Sequence, residues 1–195
     1  MAKVLVVGGG GREHAIVDAL SRSSKVTKIY CAPGNAGIGL QAENVAIKDT
    51  DVDGLLAFAK SNGIDLTVVG PEAALAVGIV DAFRGAGLKI FGHTKAATRI
   101  ESSKEFAKEL MFKYDIPTSG YSSFTDYTEA LEYVKARPFP AVLKYDGLAA
   151  GKGVVIAATL EEADAALKDM LLDCSFGQGK VVVEDFLTGP EFSFM

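Results

Sequence analysis

Two glycine clusters, a few lysines and a short acidic run hold the residues that could do chemistry. Gly8-Gly-Gly-Gly-Arg-Glu-His14 follows an apolar run and opens a helical pattern. Glycines at such a turn let the backbone approach a phosphate, and the first N–H groups of the helix are free to meet it. Four consecutive glycines also cost conformational entropy that a merely tight turn would avoid. The spacing does not fit a nicotinamide dinucleotide. GxGxxG/A counted from Gly8 puts Glu13 in the third place, and counted from Gly9 it puts His14 there. The second apolar run ends Cys31-Ala-Pro-Gly34, without the acid that would hold a ribose hydroxyl. Two more loops, Ala32-Pro-Gly-Asn-Ala-Gly37 and Gly70-Pro-Glu72, leave the ends of apolar runs. Open α/β sheets bind ligands along that edge. Asn35 and Glu72 could hydrogen-bond a sugar or an amine there, or Asn35 could simply shape its turn.

The second cluster is Lys144-Tyr-Asp-Gly-Leu-Ala-Ala-Gly-Lys-Gly153. It resembles a Walker loop only superficially: three residues, not four, separate Gly147 from Gly151-Lys152, and Gly153 replaces the Ser or Thr. A strand-loop-strand setting also differs from strand-loop-helix. A lysine-flanked glycine hairpin could close over a triphosphate with backbone donors and two ammonium charges, whereas a plain turn needs only two residues. For Lys104, the run Glu184-Asp-Phe-Leu187, Glu191, His14 and His93, spacing alone does not separate a ligand from a solvated side chain.

These residues need a scaffold, and the sequence describes one. The chain has 195 residues, 49% apolar and 23% charged, which suits a folded protein of one large or two small domains. Twenty Lys and Arg against twenty-five Asp and Glu give a net charge of −5, with no basic block, so nucleic acid is disfavoured as a partner. Cys31 and Cys174 form no CxxC motif or His/Cys cluster, which points to core fillers in a reducing cytoplasm. The run Val4 to Val7 is too short for a membrane span or a signal-peptide core.

Residues 1–93 alternate short apolar runs (4–8, 28–31, 65–70, 88–92 and a weaker 44–47) with helical patterns (12–20, 51–61, 73–84). That alternation predicts a doubly wound parallel sheet, with Gly63 and Gly87 at helix C-termini. Residues 94–118 read as a helical connector, one long helix to Tyr114 with Ser102 and Glu105 as its capping box. Residues 119–190 read as a smaller α+β module: strand 121–124, helix 128–135, strand 141–145, glycine loop, strand 154–158, helix 160–172, strand 180–186. Residues 192–195 look like the first residues of another strand, and 191–195 read as the start of a further domain, cut short, which suggests a truncated chain.

Together these pieces resemble the glycinamide ribonucleotide synthetases, ATP-grasp ligases of purine biosynthesis, along the whole chain. The resemblance rests on Gly9-Gly-Gly-Arg-Glu-His14, Ala32-Pro-Gly-Asn-Ala-Gly37, Val69-Gly-Pro-Glu-Ala73, Glu101-Ser-Ser-Lys104, Ile116-Pro-Thr118, Lys144-Tyr-Asp-Gly-Leu-Ala-Ala-Gly-Lys-Gly-Val154 and Glu184-Asp-Phe-Leu-Thr-Gly-Pro-Glu191. His93 and Ala74 stand where the family often has Pro, and Tyr145 where Ala is usual.

The resemblance implies a cytoplasmic ligase in which ATP phosphorylates the glycine carboxylate. The amine of 5-phosphoribosylamine then displaces phosphate from the acyl phosphate, giving glycinamide ribonucleotide, ADP and phosphate. A carboxylate is a poor acyl donor until one oxygen becomes a phosphate leaving group, and magnesium or manganese with lysines would offset the charge gathered there. By the same resemblance Lys104 and Lys144 would reach the nucleotide phosphates. Asp146, Gly147, Leu148, Ala149, Ala150, Gly151, Lys152 and Gly153 would form a lid loop. Glu184, Asp185, Phe186 and Leu187 would hold the adenine, and Glu191 the ribose. Gly9, Gly10, Gly11, Arg12, Glu13, Pro33, Gly34, Asn35, Gly70, Pro71 and Glu72 would face 5-phosphoribosylamine. Metal ligands and much of the phosphate-transfer surface are expected beyond residue 195, so the chain alone is expected to lack ligase activity. A non-catalytic nucleotide-binding module, or a split subunit working with a partner, is the alternative.

Overall fold

The computed structural model describes residues 1–149 and 151–194. Two compact units divide the chain, Met1–Arg99 and Ile100–Met195.

In the first unit β1 (Ala2–Gly8), β2 (Val26–Pro33), β3 (Glu43–Asn44), β4 (Leu66–Val69) and β5 (Ile90–Phe91) form one sheet. Its order is β3-β2-β1-β4-β5, and every pairing is parallel. Successive side chains of a strand point to opposite faces, so the buried run Val4 to Val7 serves two cores at once. Val4 and Val6 pack with Ile29, Cys31 and Val17 of α1 (Gly11–Ser21). Leu5 and Val7 pack with Leu55 and Ala59 of α2 (Val52–Asn62), and with Ile79 and Phe83 of α4 (Ile79–Gly85). The doubly wound sheet expected from the apolar runs is present, and its carboxyl edge carries all three loops singled out in this half.

Helix boundaries depart from the periodic pattern where local chemistry intervenes. The helix expected over 73–84 is two, α3 (Glu72–Ala76) and α4, separated at Gly78, whose φ of 93° no helix can contain. The connector helix is also two, α5 (Lys95–Ser102) and α6 (Lys104–Lys113). Ser103 is extended between them (φ −136°, ψ 115°), and its hydroxyl accepts from the Phe106 N–H at 3.1 Å. The cap is therefore Ser103 and not Ser102, because Ser103 is the residue that leaves helical geometry.

In the second unit β6 (Tyr121–Phe124), β7 (Ala141–Tyr145), β8 (Val154–Ala157) and β9 (Val181–Asp185) form an antiparallel sheet of order β6-β9-β7-β8. One face, with Ala141, Leu143, Tyr145, Val181 and Val183, packs on α7 (Tyr127–Lys135) and α8 (Leu160–Leu167). Beyond α8 the chain continues as a wider π-helical turn, Lys168–Leu172. The other face carries a row of directly opposed residues, Ile156, Val142, Glu184 and Tyr121, one from each strand. Residues 192–194, expected to open a strand, lie in none among the described residues, and Met195 falls outside them.

Candidate nucleotide and phosphate sites

At the carboxyl edge of the first sheet the three loops are tied to one another. The Gly34 N–H donates to the Gly8 carbonyl at 3.1 Å, and the Asn35 side-chain amide to the Gly9 carbonyl at 2.9 Å. The amide oxygen of Asn35 accepts from the Ile38 N–H at 2.9 Å. Both ends of that side chain thus hold the turn, the alternative left open for it. Arg12 reaches across from α1, donating to the Gly70 carbonyl at 2.7 Å and pairing with Glu72 at 2.9 Å. Hydrogen bonds from its own backbone N–H and from Arg12 hold the Glu72 carboxyl below the usual carboxylate range. Glu13 is buried, and its carboxylate takes the Gly10 N–H at 2.6 Å. One of the free donors at the start of α1 is therefore already spent. Gly9 packs so closely on the second loop that a Cβ there would lie 2.6 Å from the Gly34 carbonyl oxygen. Gly9 and Gly34 thus serve the packing of the two loops, and Pro33 and Pro71 flank the same junction.

The second unit holds a cavity of about 780 Å³ on the open face of its sheet. Val142 and Ile156 form its floor, Lys144 and Glu184 one side, and residues 185–191 the rim. A nucleotide-sized pocket with apolar walls and a few convergent polar groups is the usual form of a small-molecule site. Glu184 is only 7% exposed and receives three donors. Lys144 lies 2.8 Å from Oε1, while Lys108 at 2.9 Å and the Ser119 hydroxyl at 2.8 Å meet Oε2. Burial opposes its ionisation, yet hydrogen bonds from Lys144, Lys108 and Ser119 outweigh it and hold the carboxyl below its ordinary range.

The remaining expected residues fall into two groups. Leu187 and Glu191 are exposed on the rim of the cavity, beside Phe186. The Asp185 carboxylate pairs instead with Arg137, whose guanidinium lies 4.7 Å from the Tyr133 ring centre. Lys104 sits at the base of the glycine loop: its ammonium donates to the Gly147 carbonyl at 3.0 Å. Desolvation lowers the Lys104 pKa, with the Asp146 charge opposing and Lys144 adding repulsion. Asp146 accepts from the Lys104 and Glu105 N–H groups and from the Ser103 hydroxyl. It thus acts as a helix anchor as well as a loop residue. The loop turns back through a hydrogen bond from Lys152 N–H to Ala149 O at 2.9 Å, and the Gly153 carbonyl accepts from the Tyr145 N–H at 2.8 Å. Leu148 is exposed, Gly151 adopts φ 78°, and Ala150 lies outside the described residues.

Sequence reasoning passed over Lys108, Ser119, Val142 and Ile156. Signals existed for two of them. Lys108 lies four residues after Lys104 on a helix, so the two share a face, and Val142 lies two before Lys144 on a strand. Among the described residues no three His, Cys, Asp or Glu side chains converge on a metal-sized point. No helix among them is long and apolar enough to cross a membrane.

Residues 2–101 match the family model described as phosphoribosylglycinamide synthetase, N domain, and residues 102–195 match the ATP-grasp (A) domain of the same synthetase. The chain belongs to the phosphoribosylglycinamide synthetase family. It is 53% identical over 196 residues to phosphoribosylamine-glycine ligase of Pasteurella multocida, and 54% identical over 195 residues to that of Listeria innocua. Each comparison covers 98% of this chain and 46% of the relative. The chain thus spans about half the length of these relatives of the family. The crystal structure of phosphoribosylamine-glycine ligase from Thermotoga maritima superposes with a TM-score of 0.76 at 30% identity, over 96% of this chain and 44% of that one. The biotin carboxylase domain of the Hydrogenobacter thermophilus 2-oxoglutarate carboxylase, solved with MgADP, gives a TM-score of 0.75. At 18% identity, over 95% of this chain and 44% of that one, it shows the shared fold alone.

Proposed function

We propose that this chain is part of an ATP-dependent ligase that joins glycine to 5-phosphoribosylamine in purine biosynthesis, in the cytoplasm. The observation that carries the reading is the cavity on the open sheet face. Its apolar floor of Val142 and Ile156 suits a nucleobase, and Lys144 stands at one side with Glu184. In this reading the base lies on the floor and the ribose hydroxyls meet Glu191. The phosphates extend toward Lys104 and the loop from Asp146 to Gly153.

The ligands do the chemistry in two steps. The glycine carboxylate takes the γ-phosphoryl group and ADP leaves, then the amine nitrogen attacks the acyl carbon, losing a proton as phosphate departs. Magnesium, when bound, neutralises charge on the phosphates. The residues of this chain bind and orient. Lys104 and Lys144 supply positive charge where negative charge gathers, and the glycine loop supplies backbone donors and excludes water. In the first unit the junction of Gly9, Gly10, Gly11, Gly34 and Arg12 takes the phosphate of 5-phosphoribosylamine, at the start of α1.

Calorimetric titration of ATP into the chain tests the nucleotide half of this reading. Saturable binding is expected, weakened at least about tenfold by Lys144→Ala, the scale of one lost charge-assisted contact. Absence of ATP binding, or saturable NADH binding in its place, would overturn it.

A further inference from the structure

Lys108 is 6% exposed, and the proposed nucleotide reading gives it no role. Its ammonium lies 2.8 Å from Thr118 Oγ1, 2.6 Å from Ser119 Oγ, 3.1 Å from the Ser119 carbonyl and 2.9 Å from Glu184 Oε2. The Ser119 hydroxyl accepts from Lys108 and donates onward to Glu184 Oε2 at 2.8 Å. Two donors therefore crowd Oε2, whereas among the described residues Oε1 meets Lys144 alone. Each carboxylate oxygen can accept about two hydrogen bonds, so the acceptor capacity left over is on Oε1. A buried lysine-carboxylate pair is weak evidence for stability, since apolar residues of similar volume often do as well. Its specificity is another matter: three donors hold Glu184 in one orientation, and no proton remains on it to donate.

We propose that Lys108 and Ser119 are positioning residues which turn the free acceptor of Glu184 Oε1 toward the nucleobase edge, so that the site selects a purine carrying an exocyclic amine over one carrying a carbonyl there. The inference rests on the nucleotide reading of the cavity. The fixed carboxylate accepts from an amine N–H, and it faces a carbonyl oxygen with two acceptors and no hydrogen between them. An uncompensated pair of acceptors in a buried site is strongly disfavoured, so discrimination follows from the acceptor's orientation and charge more than from the shape of the pocket. Removing either donor leaves Glu184 in place but freer to rotate or to take up a proton. A protonated carboxyl can donate to a carbonyl, and the preference then narrows.

The test compares ATP with inosine triphosphate, which carries a carbonyl in place of the exocyclic amine and a proton on the adjacent N1, by calorimetric titration into the chain carrying no change, Ser119→Ala, Lys108→Met or Lys108→Arg. The N1 difference is common to all four, so the change in preference between them reports on Glu184. A preference for ATP is expected in the unchanged chain. Ser119→Ala and Lys108→Met should narrow it by about tenfold, the worth of one hydrogen bond to a charged group, and Lys108→Arg should restore part of it. Circular dichroism confirms folding, and if Lys108→Met does not fold, Ser119→Ala decides. An unaltered preference in folded variants overturns the positioning role while leaving the nucleotide site standing. No binding of either nucleotide to the unchanged chain overturns both. Carbon-13 titration of the Glu184 carboxyl gives a readout that needs no ligand. Its midpoint should move up in Lys108→Met, with Lys144 and Lys104 the charged groups still near it, and an unmoved midpoint would count against the proposal.

Discussion

Asp146 sits on the first turn of α6, its Oδ1 accepting from the Lys104 N–H at 2.5 Å and from the Glu105 N–H at 3.2 Å. A carboxylate at a helix N-terminus satisfies orphan donors and is favoured by the helix dipole. Here it also ties the first residue of the glycine loop to the backbone that carries Lys104. Asp146→Ala should free both amides at a cost of about 1 kcal/mol, and hydrogen exchange at Lys104 and Glu105 should speed up. Asp146→Asn keeps an acceptor and should show a smaller effect. Unchanged exchange at both amides in the alanine variant would show that the anchor is not real in solution.

Ser103 marks the break between α5 and α6, and its hydroxyl is the cap. Ser103→Ala should destabilise α6 by about 1 kcal/mol, while Ser102→Ala, at the end of α5, should stay within about 0.5 kcal/mol. Exchange of the Phe106 amide reports the difference. Equal effects from the two substitutions would return the cap to the position expected from the sequence pattern.

That one-residue displacement shows what sequence can and cannot reveal. Ser102 and Ser103 offer the same hydroxyl, and the contacts that distinguish them come from Asp146, more than forty positions away, which meets the Ser103 hydroxyl and the Lys104 N–H. The parallel sheet was legible because Val4 to Val7 and its counterparts are apolar on both faces, a local property. The two lysines flanking the glycine loop were legible for the same reason: spacing placed Lys144 and Lys152 there. The Glu184 cluster was not, because Lys108 and Ser119 reach it only through tertiary packing. Arg12 illustrates the middle case. Its place on α1 follows from the helical pattern, but its contacts with Gly70 and Glu72 span some sixty residues.

The depressed pKa of Glu184 makes stability depend on pH in a definite direction. Three donors favour the carboxylate in the folded state. A carboxyl depressed in the folded state contributes stability that is fully present above the unfolded value of about 4.3. That contribution is lost as pH falls from there through the folded pKa. Denaturant midpoints of the second unit should therefore drop as pH is lowered below about 4.3, and the drop should be shallower in Glu184→Gln, which cannot titrate. Parallel curves for the two proteins would assign the acid sensitivity to other carboxylates.

Cys31 is buried in the first sheet, with its thiol 3.3 Å from the Gly8 carbonyl. Burial, then the charge of Glu13, pushes its pKa up to about 11. The thiolate is the nucleophile, so the native thiol should be inert near pH 8. Iodoacetamide followed by mass mapping should label Cys174, which is partly exposed, and leave Cys31 unmodified until the chain is unfolded. Rapid native labelling at Cys31 would mean that the edge of the first sheet opens far more readily than its packing allows.

Tyr145 fills the space beneath the base of the glycine loop, 7% exposed, with its ring centre 5.4 Å from that of Phe176. The chain makes room for the ring with glycines: a Cβ at position 179 would lie 2.7 Å from Tyr145 Cε2, and one at position 147 would lie 2.6 Å from Cε1. Gly179→Ala should accordingly cost about 1–3 kcal/mol through overpacking, and Tyr145→Ala about 3–5 kcal/mol through the cavity it leaves. In the double variant the added methyl occupies part of that cavity, so the two losses should fall short of additivity by about 1–2 kcal/mol. Urea denaturation followed through the second unit measures all four corners of the cycle. Strict additivity would mean that Gly179 is required for its backbone rather than for the ring.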